Sequence, residues 1–292
     1  MRMRIGDVSL YFDVDGCQLV PAGPDMVERP TVIALHGGPG ADHSLFKPVL
    51  RGVTEFAQVI YLDQRGSGRS GRGEPETWTW ERWADDVIDF CDALEIADPV
   101  LLGTSSGGWV ALTTAIRHPG RMGGLVLDSV MPGDVDERLD IMERLGGVEA
   151  RGIARRYWDG EATDEIREAY AHVCVPLYSQ RSGQDTEAAD RMHRIRWNPE
   201  VLEHFRQAIV GTFDPWPGLD RVTCPTMILA GEHDPVATVS AARRLAAELP
   251  GTRLHVLPGA GHGIFREDPA RACALLQEFV MGNRVDADAR MT

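Results

Sequence analysis

Short apolar runs separated by helical periods organise the chain. Thr31–Leu35, Gln58–Leu62, Val100–Leu102, Leu125–Leu127, Thr226–Ala230 and Arg253–Leu257 are rich in Val, Ile, Leu and Ala, most of them without alternation. Uninterrupted apolar strands predict a parallel sheet covered on both faces. Val8–Val14 instead alternates apolar and polar residues and ends at Asp15-Gly16, which predicts an antiparallel hairpin at a sheet edge. Between the runs, Trp83, Val87, Ile88, Cys91 and Leu94 recur at helical spacing, with Asp85, Asp86 and Asp92 on the other side. Ser106–Ile116, Ala241–Leu249 and Ala270–Val280 supply further helices. Strand and helix in alternation predict a doubly wound α/β sheet with helices on both faces.

One segment breaks the rhythm. From Met131 to Leu219 the pattern is helical, polar and aromatic. An interruption of this length inside a compact domain is of the kind that forms a lid. The expected organisation is therefore a core over 1–130 and 220–283, a helical cap over 131–219 and a flexible polar tail over 284–292. Asn198-Pro199 reads as an N-cap followed by proline at the first helical position. Tyr157, Trp158, Tyr170, Tyr178, Trp197 and Trp216 either line an apolar pocket or form the insert's own core.

Composition narrows the function classes. The formal charge of the 292 residues is −14, which argues against nucleic acid, where clustered Lys and Arg must neutralise phosphates. Cys17, Cys91, Cys174, Cys224 and Cys273 are dispersed and form no CxxC pair, so neither a disulfide framework nor a zinc site is expected. The chain starts without an apolar signal core and holds no apolar run of membrane-spanning length. These features predict a cytoplasmic protein that works without a membrane.

The candidate chemistry begins at Gly103-Thr104-Ser105-Ser106-Gly107, which fits G-x-S-x-G between a strand and a helix. That setting makes Ser105 the candidate nucleophile; Ser106 is a poorer one because Thr104 stands where it would need glycine. A serine hydroxyl needs a base within hydrogen-bond reach. In this chain order the acid and then the histidine follow, each after its own strand. Asp234, in Gly231-Glu-His-Asp-Pro235, and His262, in Gly259-Ala-Gly-His-Gly263, satisfy the order. Asp128, at the end of an earlier strand, is the alternative acid, whereas His233 and His255 read as structural. His36-Gly37-Gly38-Pro39-Gly40 follows the first parallel strand, where the second oxyanion donor comes from. The expected donors are the N–H groups of Gly38 and Ser106, with Gly37 beside the substrate. Asp63 and Arg65, in Asp63-Gln-Arg-Gly-Ser-Gly-Arg-Ser70, are expected to brace neighbouring loops.

His36-Gly-Gly-Pro-Gly40 together with Asp63-Gln-Arg-Gly-Ser-Gly-Arg-Ser70 resembles the proline iminopeptidase family of α/β hydrolases. The resemblance implies an α/β-hydrolase fold, a helical cap over the active site, no cofactor, and release of an N-terminal proline or other small residue. By position it implies the triad Ser105, Asp234 and His262. An aminopeptidase must also hold a substrate ammonium with carboxylates. Glu200, Glu203 and Asp214 in the insert, with Trp216 beside the last, are the candidates. Ser106 and Pro235 depart from the family, which often has Trp after the nucleophile and in some members Glu after the acid; Pro235 is shared with many esterases and lactonases. The expectation is a metal-free serine hydrolase acting on a small molecule or short peptide. A proline iminopeptidase-like aminopeptidase comes first and a carboxylesterase or lactonase second. A non-catalytic ligand-binding protein on the same scaffold is the contrasting class.

Overall fold

The structure, a computed structural model, describes residues 1–161, 163–181 and 188–291, with the side chains of 188, 189 and 284–291 left out. Eight strands form one sheet in the order β1 (Arg2–Ile5), β2 (Val8–Asp15), β6 (Gln58–Leu62), β5 (Thr31–Leu35), β7 (Val100–Thr104), β8 (Gly124–Asp128), β9 (Thr226–Gly231), β10 (Arg253–Leu257). From β6 to β10 every neighbouring pair is parallel.

The absence of alternation in these strands has a direct cause. Ile33 and Leu35 of β5 enter one apolar cluster and Val32 and Ala34 the other, so both faces of the strand are buried. The first cluster is completed by α1 (Trp80–Ala93), α2 (Ser106–Arg117) and α7 (Val239–Glu248). The second is closed by Leu276, Phe279 and Val280 of α9 (Pro269–Met291). The fold is the α/β-hydrolase arrangement, a mostly parallel sheet with helices on both faces.

The antiparallel edge differs in one respect from the reading of Asp15-Gly16 as its hairpin turn. β2 turns back on β1 through Gly6 and Asp7, and on its other side pairs with β6. Past Gly16 the chain forms a separate two-stranded ribbon, β3 (Leu19–Ala22) with β4 (Asp25–Glu28). Both ribbon strands are largely exposed, so no buried face marks them in the sequence.

Between β8 and β9 the described chain is helical. It contains α3 (Val135–Trp158), kinked at Gly147, α4 (Asp164–Ala169), α5 (Ala188–Arg194) and α6 (Pro199–His204), with short 3₁₀ and π segments following α4 and α6. Leu139, Met142, Ala150, Ala154, Tyr170 and Cys174 give this insert a small core of its own. Phe213 fastens it to the sheet domain by stacking on Trp109, with ring centroids 4.5 Å apart. Asn198 caps α6 by accepting the Glu200 N–H at 3.2 Å, with Pro199 in the first turn, and donates from Nδ2 to the Gly66 carbonyl at 2.7 Å. Asp63 and Arg65 brace loops. Asp63 accepts N–H groups of His43 and Arg69, and Arg65, fully buried, pairs with Asp86 and Asp7. The side chains of the tail, 284–292, lie outside the described residues. Among the described residues no helix is long and apolar enough to cross a membrane.

Candidate active site

One residue, Ser105, makes the whole turn from β7 into α2, with φ 53° and ψ −126°. Such a backbone costs a non-glycine residue about 1–3 kcal/mol and persists only where its surroundings impose it. Here the Ser105 N–H donates to the Asp128 carbonyl and its own carbonyl accepts the Gly108 N–H, each at 2.9 Å. The flanking glycines are required by contact distance. A Cβ at Gly103 would lie 2.5 Å from the Gly107 carbonyl oxygen, and one at Gly107 would lie 2.1 Å from that of Leu35.

Asp234 lies in the loop after β9 and is fully buried. Its Oδ1 accepts the N–H groups of Val236 and Ala237 at 2.8 and 2.9 Å, and its Oδ2 faces Nδ1 of His262 at 2.8 Å. A carboxylate there assigns the ring proton to Nδ1 and leaves Nε2 with a lone pair. The His262 N–H donates to the Tyr178 carbonyl at 2.7 Å, and the Tyr178 ring stands edge-on to the imidazole. Ser105 Oγ has no hydrogen-bond partner among the described residues; such bonds tighten when substrate binds. Asp128 is also fully buried, but it accepts from Thr104 Oγ1 and the Ile264 N–H, and burial pushes its carboxyl pKa up. His255 sits partly buried in β10, and the His233 N–H is used by the Ala260 carbonyl.

Gly37 and Gly38 share a cavity wall with Ser105 and His262. Gly37 packs so closely that a Cβ would fall 2.9 Å from that of Ser105, and Gly38 takes φ 62°. Among the described residues the N–H groups of Gly38 and Ser106 have no partner. That of Ser106 is at the first position of α2, where helix N–H groups are unmatched and the dipole is positive. The loop is braced from behind by His36. Its Nδ1 meets the Gly37 carbonyl at 3.1 Å, its Nε2 accepts the Gln64 N–H at 3.3 Å, and burial pushes its pKa down towards the neutral form.

The cavity is about 460 Å³, and the insert supplies much of its wall through Val175, Pro176, Tyr178, Arg181, Met192 and Trp197. Glu200, Glu203, Asp214 and Trp216 do not line it. Glu203 accepts from Arg167 and Gln207, Asp214 accepts the Trp216 N–H, and the Trp216 ring carries the Arg244 guanidinium at 4.1 Å. Of the insert's aromatics, Tyr178 and Trp197 face the cavity, whereas Tyr157 and Trp158 pack on Tyr170 inside the insert. The wall also holds Arg181, Arg191, Arg266 and Glu267, which sequence reasoning missed. Position was the available signal for Arg266, one helical turn past His262. Elsewhere, Asp42, His43 and Asp63 could offer three ligand atoms to a metal. Their acceptors are instead engaged by the N–H groups of Ser44, His43 and Arg69.

The model of the alpha/beta hydrolase family matches residues 32–275. The chain belongs to that family. It is 28% identical over 289 residues to "Putative carbamate hydrolase RutD" of Caulobacter sp. strain K31, covering 96% of this chain and 99% of that one. It is 27% identical over 286 residues to the proline iminopeptidase of Thermoplasma volcanium, covering 88% and 90% of the two chains. The solved structure of Est816, described as an N-acyl homoserine lactone degrading enzyme, superposes with a TM-score of 0.74 at 23% identity, over 96% of this chain and 100% of that one. This last likeness speaks for the fold alone. The relatives are named for hydrolysis of different bonds, so family membership leaves the substrate to the site itself.

Proposed function

We propose that the protein is a serine hydrolase of carboxylic esters, lactones included, working through an acyl-enzyme on Ser105. The observation that carries this reading is the 2.8 Å bond between His262 Nδ1 and Asp234 Oδ2, in a site whose cavity wall His262 shares with Ser105. In the proposed mechanism Ser105 Oγ attacks the carbonyl carbon as its proton passes to Nε2 of His262. The buried Asp234 carboxylate holds the ring's tautomer and stabilises the imidazolium. The tetrahedral oxyanion accepts the N–H groups of Gly38 and Ser106, each worth about 3 kcal/mol in the transition state. Imidazolium then protonates the departing alcohol oxygen, and a water activated by the same nitrogen releases the acid. Residues 131–219 act as a cap, bringing Tyr178 and Trp197 over the reacting centre.

The second reading, an aminopeptidase, draws on the similarity to the Thermoplasma volcanium proline iminopeptidase. It needs a carboxylate free to meet an ammonium. Among the described residues the wall offers two, Asp128 and Glu267, and both are engaged. Asp128 accepts from Thr104 and Ile264, and Glu267 accepts from the Ser179 hydroxyl and the N–H groups of Gln180 and Gly261. The test is a panel of short acyl esters, lactones, and prolyl and alanyl arylamides, assayed with the protein and with Ser105→Ala. Esters or lactones are expected to turn over at least about a hundredfold faster than the arylamides, with all turnover lost in the variant. Faster arylamide cleavage transfers the proposal to the aminopeptidase.

A further inference from the structure

We infer that the cavity contains an anion subsite, formed by Arg266 with Arg181, that selects esters or lactones carrying a carboxylate elsewhere in the molecule. The inference deepens the ester-hydrolase reading above and rests on it.

Arg266 belongs to α8 (Ile264–Glu267), which begins directly after His262 and Gly263. Its guanidinium folds back over Gly263, where a Cβ would come within 2.7 Å of Nη2 and 2.9 Å of Nε. A side chain there would push the guanidinium away, so Gly263 sets its place beside the histidine. From that position Nη2 donates to the His262 carbonyl at 3.1 Å. A guanidinium has five N–H donors in a planar fork. Among the described residues this is the one hydrogen bond the Arg266 guanidinium makes, and no carboxylate lies within ion-pair distance of it.

Arg181 reaches the same place from the insert. Its Nη1 donates to the Arg266 carbonyl at 3.3 Å, and among the described residues it too has no ion pair. Burial pushes the Arg266 pKa down, with the charges of Asp128, Glu267 and Asp234 opposing the shift and that of Arg191 adding to it. The wall's two described carboxylates act on it only at a distance and make no ion pair with it, their oxygens being taken up by Thr104, Ile264, Ser179, Gln180 and Gly261.

The contrast with the rest of the molecule matters. A chain of net charge −14 repels anions at long range, so cationic groups around the nucleophile are a local property of the cavity. A planar fork with unused donors matches a carboxylate better than it matches any neutral group. It also disfavours an ammonium, in keeping with the failure of Glu200, Glu203 and Asp214 to reach the wall.

The test is equilibrium binding to Ser105→Ala protein by titration calorimetry, with monomethyl glutarate and dimethyl glutarate as probes. The monoanion is expected to bind about ten- to a hundredfold more tightly than the diester, the range of a hydrogen-bonded charged group. The ratio should collapse in Arg266→Gln on the same background and recover in part in Arg266→Lys, which keeps the charge without the fork. A merely structural arginine would weaken both probes equally and leave the ratio unchanged. Equal binding of the two esters overturns the subsite, and a preference that survives both Arg266→Gln and Arg181→Gln overturns its assignment. If Arg266→Gln loses cooperative melting, Arg266→Lys and Arg181→Gln must each narrow the preference, and no narrowing in either refutes it. Wild-type protein that discriminates the probes but hydrolyses neither retains the subsite and removes the ester-hydrolase reading.

Discussion

Replacing Asp234 by Asn probes the acid with almost no change of shape. The carboxylate accepts two backbone N–H groups on Oδ1, from Val236 and Ala237, and the His262 Nδ1–H on Oδ2. An asparagine has to choose which side keeps its carbonyl. Turning its amide towards the two backbone donors would forfeit two hydrogen bonds in a fully buried site, at about 1–3 kcal/mol each. The amide therefore settles facing the imidazole, and Nδ1 must become an acceptor. The ring proton moves to Nε2, which then has no lone pair for Ser105. The comparable change in a Ser-His-Asp protease lowers kcat by about 10⁴, or about 5.5 kcal/mol of transition-state stabilisation. The assay is steady-state hydrolysis of 4-nitrophenyl butyrate, with thermal melting run in parallel. Asp234→Asn should lose about four orders of magnitude in kcat while its melting point moves by a few degrees. A folded variant within tenfold of the parent refutes the tautomer argument, and a larger loss in Asp128→Asn than in Asp234→Asn moves the role of acid to Asp128.

Three further outcomes follow from the geometry. Gly107→Ala places a Cβ 2.1 Å from the Leu35 carbonyl oxygen, a backbone atom that cannot step aside, so urea unfolding should show a loss of about 3 kcal/mol. Asn198→Ala removes the α6 cap and the bond to the Gly66 carbonyl, about 2 kcal/mol together, and should speed limited proteolysis between 131 and 219. The hydrogen bond from Arg65 lowers the Asp7 pKa from 3.8 to about 2. A depressed folded-state pKa stabilises above the unfolded value and fades as pH falls through the folded one. Wild type should therefore exceed Asp7→Asn in stability at pH 6, and the gap should close between pH 4 and 2; a constant gap would contradict the pairing.

What the sequence revealed was local or ordered along the chain. The elbow at Ser105 is written in three neighbouring positions, although only the crowding at Gly103 is local, from Gly107 and Gly108; that at Gly107 comes from the Leu35 and His36 carbonyls. The buried strands were legible because each sends alternate residues into two cores, leaving no polar face. β1 was not, since the alternation of Arg2-Met3-Arg4-Ile5 runs for only four residues before β2 pairs with it. The insert's carboxylates resisted reading for a different reason. Glu203 and Asp214 are spoken for by Arg167, Gln207 and the Trp216 N–H; the last two are near in sequence, but Arg167 is 36 positions from Glu203 and is brought to it by packing. Arg266 stayed hidden likewise, being one arginine among many until α8 sets it against Gly263.

The central claim is that Ser105 is the nucleophile, and covalent labelling tests it most directly. A fluorophosphonate, followed by peptide mass spectrometry, should add one phosphonyl group per chain on Ser105 and none in Ser105→Ala protein that still melts cooperatively. Absence of any adduct on folded wild-type protein, or an adduct on another residue such as Ser106, would contradict it.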